Sequence, residues 1–147
     1  HWRSDARATI SGLSFAATKA HVARAALEAM AHQTYDLKTA FAADGADWVT
    51  LRVDGGMVSN GWMVQDLADI LVVEVERPDF VETTALGAAM LAGVGAGLYG
   101  SLAEASVMRG KVGRFSPAMD GAARDRLWAA RRALSPALMP VRMLPAA

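Results

Sequence analysis

Hydrophobic positions along this chain change their spacing several times, and each change marks an element. From residue 19 to about 43, Val22, Ala23, Ala26, Leu27, Met30, Ala31, Leu37 and Phe41 recur on one face of a long helix. Thr18 is placed to cap it, Arg24 and Glu28 form an i, i+4 pair along it, and Asp44-Gly45 ends it. Residues 48–54 alternate instead, with Val49, Leu51 and Val53 on one side, which predicts a strand. Helical spacing returns over residues 60–71 through Met63, Val64, Leu67, Ala68 and Leu71. A second strand is predicted over 72–77 and is closed by Pro78; a helix of small residues follows over 83 to about 94. A short strand over 7–13, with Gly12 near its end, precedes all of these. Residues 104–108 predict a short helix. Residues 120–134 predict the last one, with Leu127, Ala130 and Leu134 inward and Arg124, Arg126, Arg131 and Arg132 mostly outward on a solvated face. Strands that alternate with helices argue an α/β layer with parallel neighbours. Residues 135–147 hold three prolines and no period, so they are expected to be a loosely ordered tail or one docked on a missing partner.

Composition narrows the class. The chain has 147 residues, enough for one domain with a real core, and 53% of them are hydrophobic against 20% charged. That is too apolar for a disordered tail. Fifteen basic residues balance fifteen acidic ones, so no electrostatic footprint for nucleic acid or for an anionic membrane follows. The absence of cysteine removes disulfides, thiolate nucleophiles and cysteine metal sites, and fits a cytoplasmic location. The first residue is His1 and no signal peptide is visible, which suits a piece of something longer. Residues 85–103 carry no charge and place Gly93 and Gly97 four apart, an imitation of a membrane span. The stretch is only weakly apolar and its second half is rich in glycine, so a tightly packed buried helix running into a glycine-rich turn is the expectation.

The most informative stretch is Leu51-Arg52-Val53-Asp54-Gly55-Gly56-Met57-Val58-Ser59-Asn60. An apolar strand enters two adjacent glycines, and four residues later an asparagine stands where a helix begins. Glycine lets main chain lie against a ligand where a Cβ would collide. A helix N-terminus offers unpaired N–H groups and a partial positive charge. Together these suggest a backbone-lined pocket for a flat or phosphorylated ligand. Strand, Gly-Gly and helix is equally the form of an ordinary tight turn. Asp54 is placed to reach a ligand hydroxyl or a metal-bound water, or else to accept hydrogen bonds from the turn.

Other candidates carry less. Gly95-Ala96-Gly97-Leu98-Tyr99-Gly100 matches the dinucleotide pattern G-x-G-x-x-G, but it follows a helix instead of a strand and fits a helix end unwinding through glycines. His1, His21 and His32 have no metal-ligand spacing, so no metal site is assigned. Neither a nucleophile elbow nor a Gly-x-x-x-x-Gly-Lys loop occurs, and no carboxylate pair announces an acid and a base.

The landmarks taken in order resemble the C-terminal part of the FGGY carbohydrate kinase family. They are His1-Trp2 with Asp5-Ala6-Arg7, Gly12-Leu13-Ser14, the helix of residues 21–36 with Gln33-Thr34 and Asp36, Arg52-Val53-Asp54-Gly55-Gly56 with Ser59-Asn60, Val75-Glu76-Arg77-Pro78, and Thr84-Ala85-Leu86-Gly87-Ala88-Ala89. The resemblance covers about residues 1–134, taken as a partial C-terminal nucleotide-binding domain with 135–147 as its tail. It implies an actin-like, ribonuclease H-like ATPase domain, partial, with a mixed sheet and flanking helices. It implies ATP as phosphoryl donor with Mg²⁺, and transfer of the γ-phosphate to a hydroxyl of a polyol, glycerol foremost. On the matching positions Gly56 and Asn60 would contact the nucleotide and Gly55 would shape the turn. A homo-oligomer is compatible with it. The family's phosphate-gripping loop and its catalytic aspartate have no counterpart here, so no catalytic residue is assigned and the chain alone is expected to be inactive. Ala8 stands where the family usually has glycine, Phe15-Ala16-Ala17 replaces a more polar stretch, and Gly61 replaces a second asparagine. Two other classes read the same elements: a non-catalytic interaction module that binds a partner through exposed core, and a small-molecule-binding α/β domain of the dinucleotide type.

Overall fold

The computed structural model describes residues 9–138. In order, the elements are α1 (Lys19–Ala43), β1 (Thr50–Arg52), a 3₁₀ turn (Gly56–Ser59), α2 (Gly61–Leu71), β2 (Glu74–Pro78), α3 (Thr83–Gly95), α4 (Leu102–Ala105), a second 3₁₀ turn (Ser106–Arg109), β3 (Val112–Phe115) and α5 (Gly121–Leu138). Two compact units result. One is Ala26–Met119; the other takes the described residues on either side of it, and the boundary falls within α1.

The unit Ala26–Met119 is built on a three-stranded sheet ordered β1-β2-β3. β1 and β2 run parallel with Leu51 opposite Val75, and α2 is the crossover that parallel neighbours require. β3 is antiparallel to β2, with Phe115 opposite Val75 and Arg114 opposite Glu76. The sheet is therefore mixed. Sequence spacing shows the parallel pair but not β3, because four residues with alternating exposure make no pattern of their own.

The core sits where α2 meets the sheet. Met63, Val64, Leu67, Ala68, Ile70 and Leu71 of α2 are buried, and Val75 of β2 is fully so. All five apolar positions expected for α2 are among them. Burial of each large apolar side chain stabilises the fold by roughly 1.5–3 kcal/mol. Polar groups of the same helix fasten its surroundings. Buried Asp69 accepts at Oδ1 from Gln65 Nε2 (3.1 Å) and from the main-chain N–H groups of Ala118 (2.6 Å) and Met119 (3.0 Å). Gln65 Nε2 also donates to the Ser116 carbonyl at 2.8 Å. The loop after β3 is thus tied to α2, which holds β3 against β2. At the other end of α2, Lys38 Nζ donates to the Leu71 carbonyl at 2.6 Å, a cation at the negative end of a helix.

Several expectations change. Residues 9–14 form no strand; Arg7 and Ala8 lie outside the described residues. α1 has the expected span, and Thr18 stands before it, paired with the ring of His21: Thr18 N–H donates to Nδ1 at 3.1 Å and the hydroxyl lies 2.9 Å from the same atom. The imidazole takes the part that glutamate plays in a capping box. Of the apolar face of α1 only Ala31 is buried, while Val22, Leu37 and Phe41 are exposed. Val49, expected beside Leu51 and Val53, lies before β1 and is 83% exposed. α3 is no buried helix either: it buries Met90 and Gly93 and leaves Leu91 61% exposed. It is apolar nearly all round, so periodicity could not show how little of it this chain covers. No helix among the described residues is long and apolar enough to cross a membrane.

In the other unit, Asp120 accepts at Oδ2 from the Ala123 N–H (3.0 Å) and so caps α5. Leu127 is half-buried and Ala130 is exposed, contrary to the inward placing of Ala130. Arg131 lies with Cζ 5.5 Å from the Trp128 ring centroid. α5 continues through Ser135 and Pro136 to Leu138, past the expected end at Leu134. A proline this close to a helix end forfeits one main-chain bond and leaves the earlier turns intact.

Val72, which ends α2, has φ 52° and ψ 50°. This is left-handed backbone, costly for a β-branched residue and free for glycine. Val72 is half-exposed, so little packing compensates. Val72→Gly is expected to raise the free energy of unfolding by about 1 kcal/mol, read from the urea midpoint. A lower midpoint would show that the valine side chain outweighs the strain.

Candidate functional site

The bend after β1 is held from three sides. Val53 N–H continues the β1–β2 ladder to the Glu76 carbonyl at 3.0 Å. Gly55 then turns with φ 88° and ψ 170°, a conformation that a Cβ makes costly, and its N–H donates to the Val81 carbonyl at 2.9 Å. The loops that follow the two parallel strands are thereby joined at their carboxyl ends, the side where open α/β sheets place ligands. Within the 3₁₀ turn, Val58 N–H reaches the Gly55 carbonyl at 3.2 Å and Asn60 N–H reaches the Met57 carbonyl at 3.1 Å. Val58 itself is buried and anchors the turn.

Asn60 is the N-cap of α2. Its Oδ1 accepts from the N–H groups of Trp62 (3.1 Å) and Met63 (3.2 Å). The carboxamide oxygen is thus engaged by the helix, and the exposed NH₂ is the half of the group that a ligand can use. Gly56 is exposed, and a Cβ built on it would meet no atom within 4 Å. No packing reason internal to the described residues excludes a side chain there. Gly55, Gly56 and Asn60 therefore come together on one short bend at the head of α2, as the sequence placed them; Gly56 and Asn60 are exposed and Gly55 is partly buried.

Asp54 is exposed and accepts a hydrogen bond from the Thr83 hydroxyl in the first turn of α3. It fastens α3 to the end of β1 and takes no hydrogen bond from the turn. Beside it a cleft of about 490 Å³ opens over the outer face of the sheet, lined by Arg52, Asp54, Glu76, Thr83, Leu86 and Met90 among others. Gly55, Gly56 and Asn60 do not line this cleft.

On that outer face the register puts Arg52, Glu76 and Arg114 in one row. Glu76 accepts from Arg52 Nε at 3.0 Å and lies 3.3 Å from Arg114 Nη2. The hydrogen bond from Arg52, with the charge of Arg114 behind it, holds the Glu76 carboxyl below its ordinary value of 4.5. Among the described residues no group of three or more His, Asp or Glu side chains is arranged to hold a metal ion. The glycines of the G-x-G-x-x-G run end α3: Gly97 N–H reaches the Val94 carbonyl and Leu98 N–H the Gly93 carbonyl, with Gly97 at φ 73°. This is a left-handed helix stop and not a phosphate loop.

Two contributors escaped the sequence reading. The Val81 carbonyl gives no signal, since any residue supplies one. Arg77 does give a signal: it follows Val73 and Val75 at a spacing of two, which makes it a charged residue on the inward face of a strand.

Solved sugar kinases share this fold. A glycerol kinase from Plasmodium falciparum, crystallised with ADP, superposes with a TM-score of 0.73 at 34% identity over 95% of this chain and 28% of its own. A gluconate kinase from Lactobacillus acidophilus superposes at 0.72 and 22% identity, which shows the fold alone, over 95% of this chain and 29% of that one. The class is thus a partial actin-like, ribonuclease H-like ATPase domain with a mixed sheet. Residues 1–96 match the C-terminal domain of the FGGY family of carbohydrate kinases, and the chain belongs to that family. A glycerol kinase from Rhodospirillum centenum is 56% identical over 129 residues, 88% of this chain and 26% of its own length. The chain spans about a quarter of such relatives.

Because the folded Glu76 carboxyl titrates below 4.5, the unfolded chain takes up that proton first as pH falls. Its contribution to stability is complete above the unfolded value and is lost on descending through the folded one. The stability gap between the wild type and Glu76→Gln is expected to be widest at neutral pH, to narrow below about pH 4.5 and to shrink in high salt. Denaturant titrations at pH 7 and pH 3 check this; a gap equal at both would remove Glu76 from the acid response.

Proposed function

We propose that the Gly55–Asn60 bend is the adenosine side of an ATP site, in a kinase that transfers the γ-phosphate to a hydroxyl of a polyol, glycerol foremost. The observation that carries this is Gly56: exposed, at the head of α2, with nothing of its own chain near where a Cβ would stand. A purine nucleoside is flat and needs a wall of bare main chain, and here the wall is already shaped by Gly55. Family membership and the similarity to a glycerol kinase crystallised with ADP support the nucleotide, and the identity to glycerol kinases supports the polyol.

Each residue has a definite task in this reading. Gly55 turns the chain, Gly56 keeps the wall flat, and the NH₂ of Asn60 donates to a polar edge of the nucleoside while its oxygen keeps α2 in place. The N-terminus of α2 adds a partial positive charge beside the anionic end of the ligand. Mg²⁺, when bound, would neutralise charge on the transferring phosphoryl group, and no described residue is assigned to hold it. The bend is one wall of a site whose remainder, with the base that takes the hydroxyl proton, is supplied by residues for which this chain has no counterpart. Such a site closes around its substrates and works by positioning. A cytoplasmic location accords with these substrates.

In a full-length kinase carrying this chain, Gly56→Ala is expected to leave the thermal midpoint unchanged and to weaken ATP binding about tenfold or more, because the added methyl meets only the nucleotide. Asn60→Asp keeps the cap and removes the donor. It is expected to weaken ATP binding with little loss of stability, whereas Asn60→Ala loses both, with about 1 kcal/mol of stability from the cap. Titration calorimetry with an ATP analogue and with glycerol reads these outcomes. Unchanged ATP affinity in both Gly56→Ala and Asn60→Asp would overturn the assignment. The isolated 147 residues are expected to release no ADP in a coupled assay with ATP and glycerol, and release above background would show that the chain holds a base of its own.

A further inference from the structure

We propose that Arg77, backed by Phe115, is a positioning residue for the nucleotide bend; the inference rests on the reading of that bend as an ATP site. Arg77 lies on β2, on the inward side of the sheet and opposite in direction to Glu76, so it is outside the row of Arg52, Glu76 and Arg114. Its Nη1 instead donates to the carbonyl of Val58 at 2.8 Å. Val58 is the buried centre of the turn that carries Gly56 at one end and leads into Asn60 at the other. A four-residue 3₁₀ turn has poor internal geometry and little stiffness of its own. Within the bend the carbonyls of Gly55 and Met57 accept from the N–H groups of Val58 and Asn60. The Val58 carbonyl is the one that an outside group fixes, and a charged donor fixes it more firmly than a neutral one.

The guanidinium is itself aimed. Its Cζ stands 5.0 Å from the centroid of the Phe115 ring on β3, within cation–π range. Gly61, the first residue of α2, lies close on another side: a Cβ there would come within 3.9 Å of Nη1. The support therefore runs from β3 through Arg77 to the bend. Its outer end, Phe115, is beyond the residues 1–96 that match the family, and is itself held in the sheet by the bonds of Asp69 and Gln65 to residues 116–119. A shift of the bend by a fraction of an ångström would move both Gly56 and the NH₂ of Asn60 relative to a nucleoside, while leaving a separately bound polyol untouched.

The test uses the full-length kinase, with KM for ATP, KM for glycerol and the thermal midpoint measured on each variant. Arg77→Met, which keeps volume and removes the donor, is expected to raise KM for ATP about tenfold with KM for glycerol within about twofold. Arg77→Lys restores a charged donor and is expected to recover most of the loss. Phe115→Leu leaves the donor but not the ring, and is expected to raise KM for ATP about threefold, which keeps the inference testable should Arg77→Met fail to fold. The inference is overturned if Arg77→Met leaves KM for ATP within twofold, if both KM values rise together with a fall in thermal midpoint, or if Arg77→Lys is as impaired as Arg77→Met. Wild-type protein that binds ATP while these variants bind it equally well would sink this inference alone; wild-type protein that binds no ATP would sink the site itself.

Discussion

Val64, Ile70 and Leu71 of α2 and Val75 of β2 are almost completely removed from water, and the other features of the larger unit depend on their contact. Four such side chains contribute on the order of 6–12 kcal/mol, comparable to the whole net stability of a small domain. With α2 seated on β2, its N-terminus must lie at the carboxyl ends of the two parallel strands. Asn60 then caps a helix that already has a fixed place, and the Gly55-Gly56 bend becomes the only route from β1 into it. The same seating brings Asp69 and Gln65 to the loop after β3, so that a strand with no apolar period of its own is added to the sheet.

The bend is held by hydrogen bonds along most of its length. Gly55 N–H goes to Val81, the carbonyls of Gly55 and Met57 close the turn, the Val58 carbonyl meets Arg77, and Asn60 Oδ1 serves the first N–H groups of α2. Gly56 and Asn60, by contrast, are exposed. A wall prepared in this way suits a ligand that is recognised by shape and a few hydrogen bonds, since neither needs to be rearranged when the ligand arrives. The charged row Arg52–Glu76–Arg114 lies on the opposite face of the sheet, beside the cleft that starts at Asp54. Arg52 is 82% exposed and Glu76 13%, so the row fastens strand to strand at the surface and contributes little to the core.

Much of this was legible in the residues. The period of Met63, Val64, Leu67, Ala68 and Leu71 announces α2, the alternation before Gly55 announces β1, and the asparagine after the glycines marks where the helix begins. Gly55 and Gly56 could be singled out because only two reasons favour glycine at a strand end, positive φ and bare approach. The structure gives Gly55 the positive φ, and at both positions a Cβ would meet no atom within 4 Å. The exposure of α1 and α3 was not legible, because an apolar face says that something should cover it and not whether this chain does. Nor was the absence of a strand over residues 9–13, the described part of the stretch expected to form one, since a strand exists only through its partner.

By itself the chain determined most of its local elements, the caps that end them and the glycine bend between β1 and α2, because periodicity, glycine and capping residues act within a few positions of one another. Tertiary structure alone decided that β3 closes the sheet, that Asp54 serves α3, and that Arg77 reaches the Val58 carbonyl across nineteen residues of chain. Those contacts depend on strand register and on which faces meet, and both are set by burial summed over the whole unit and not by any short run of residues.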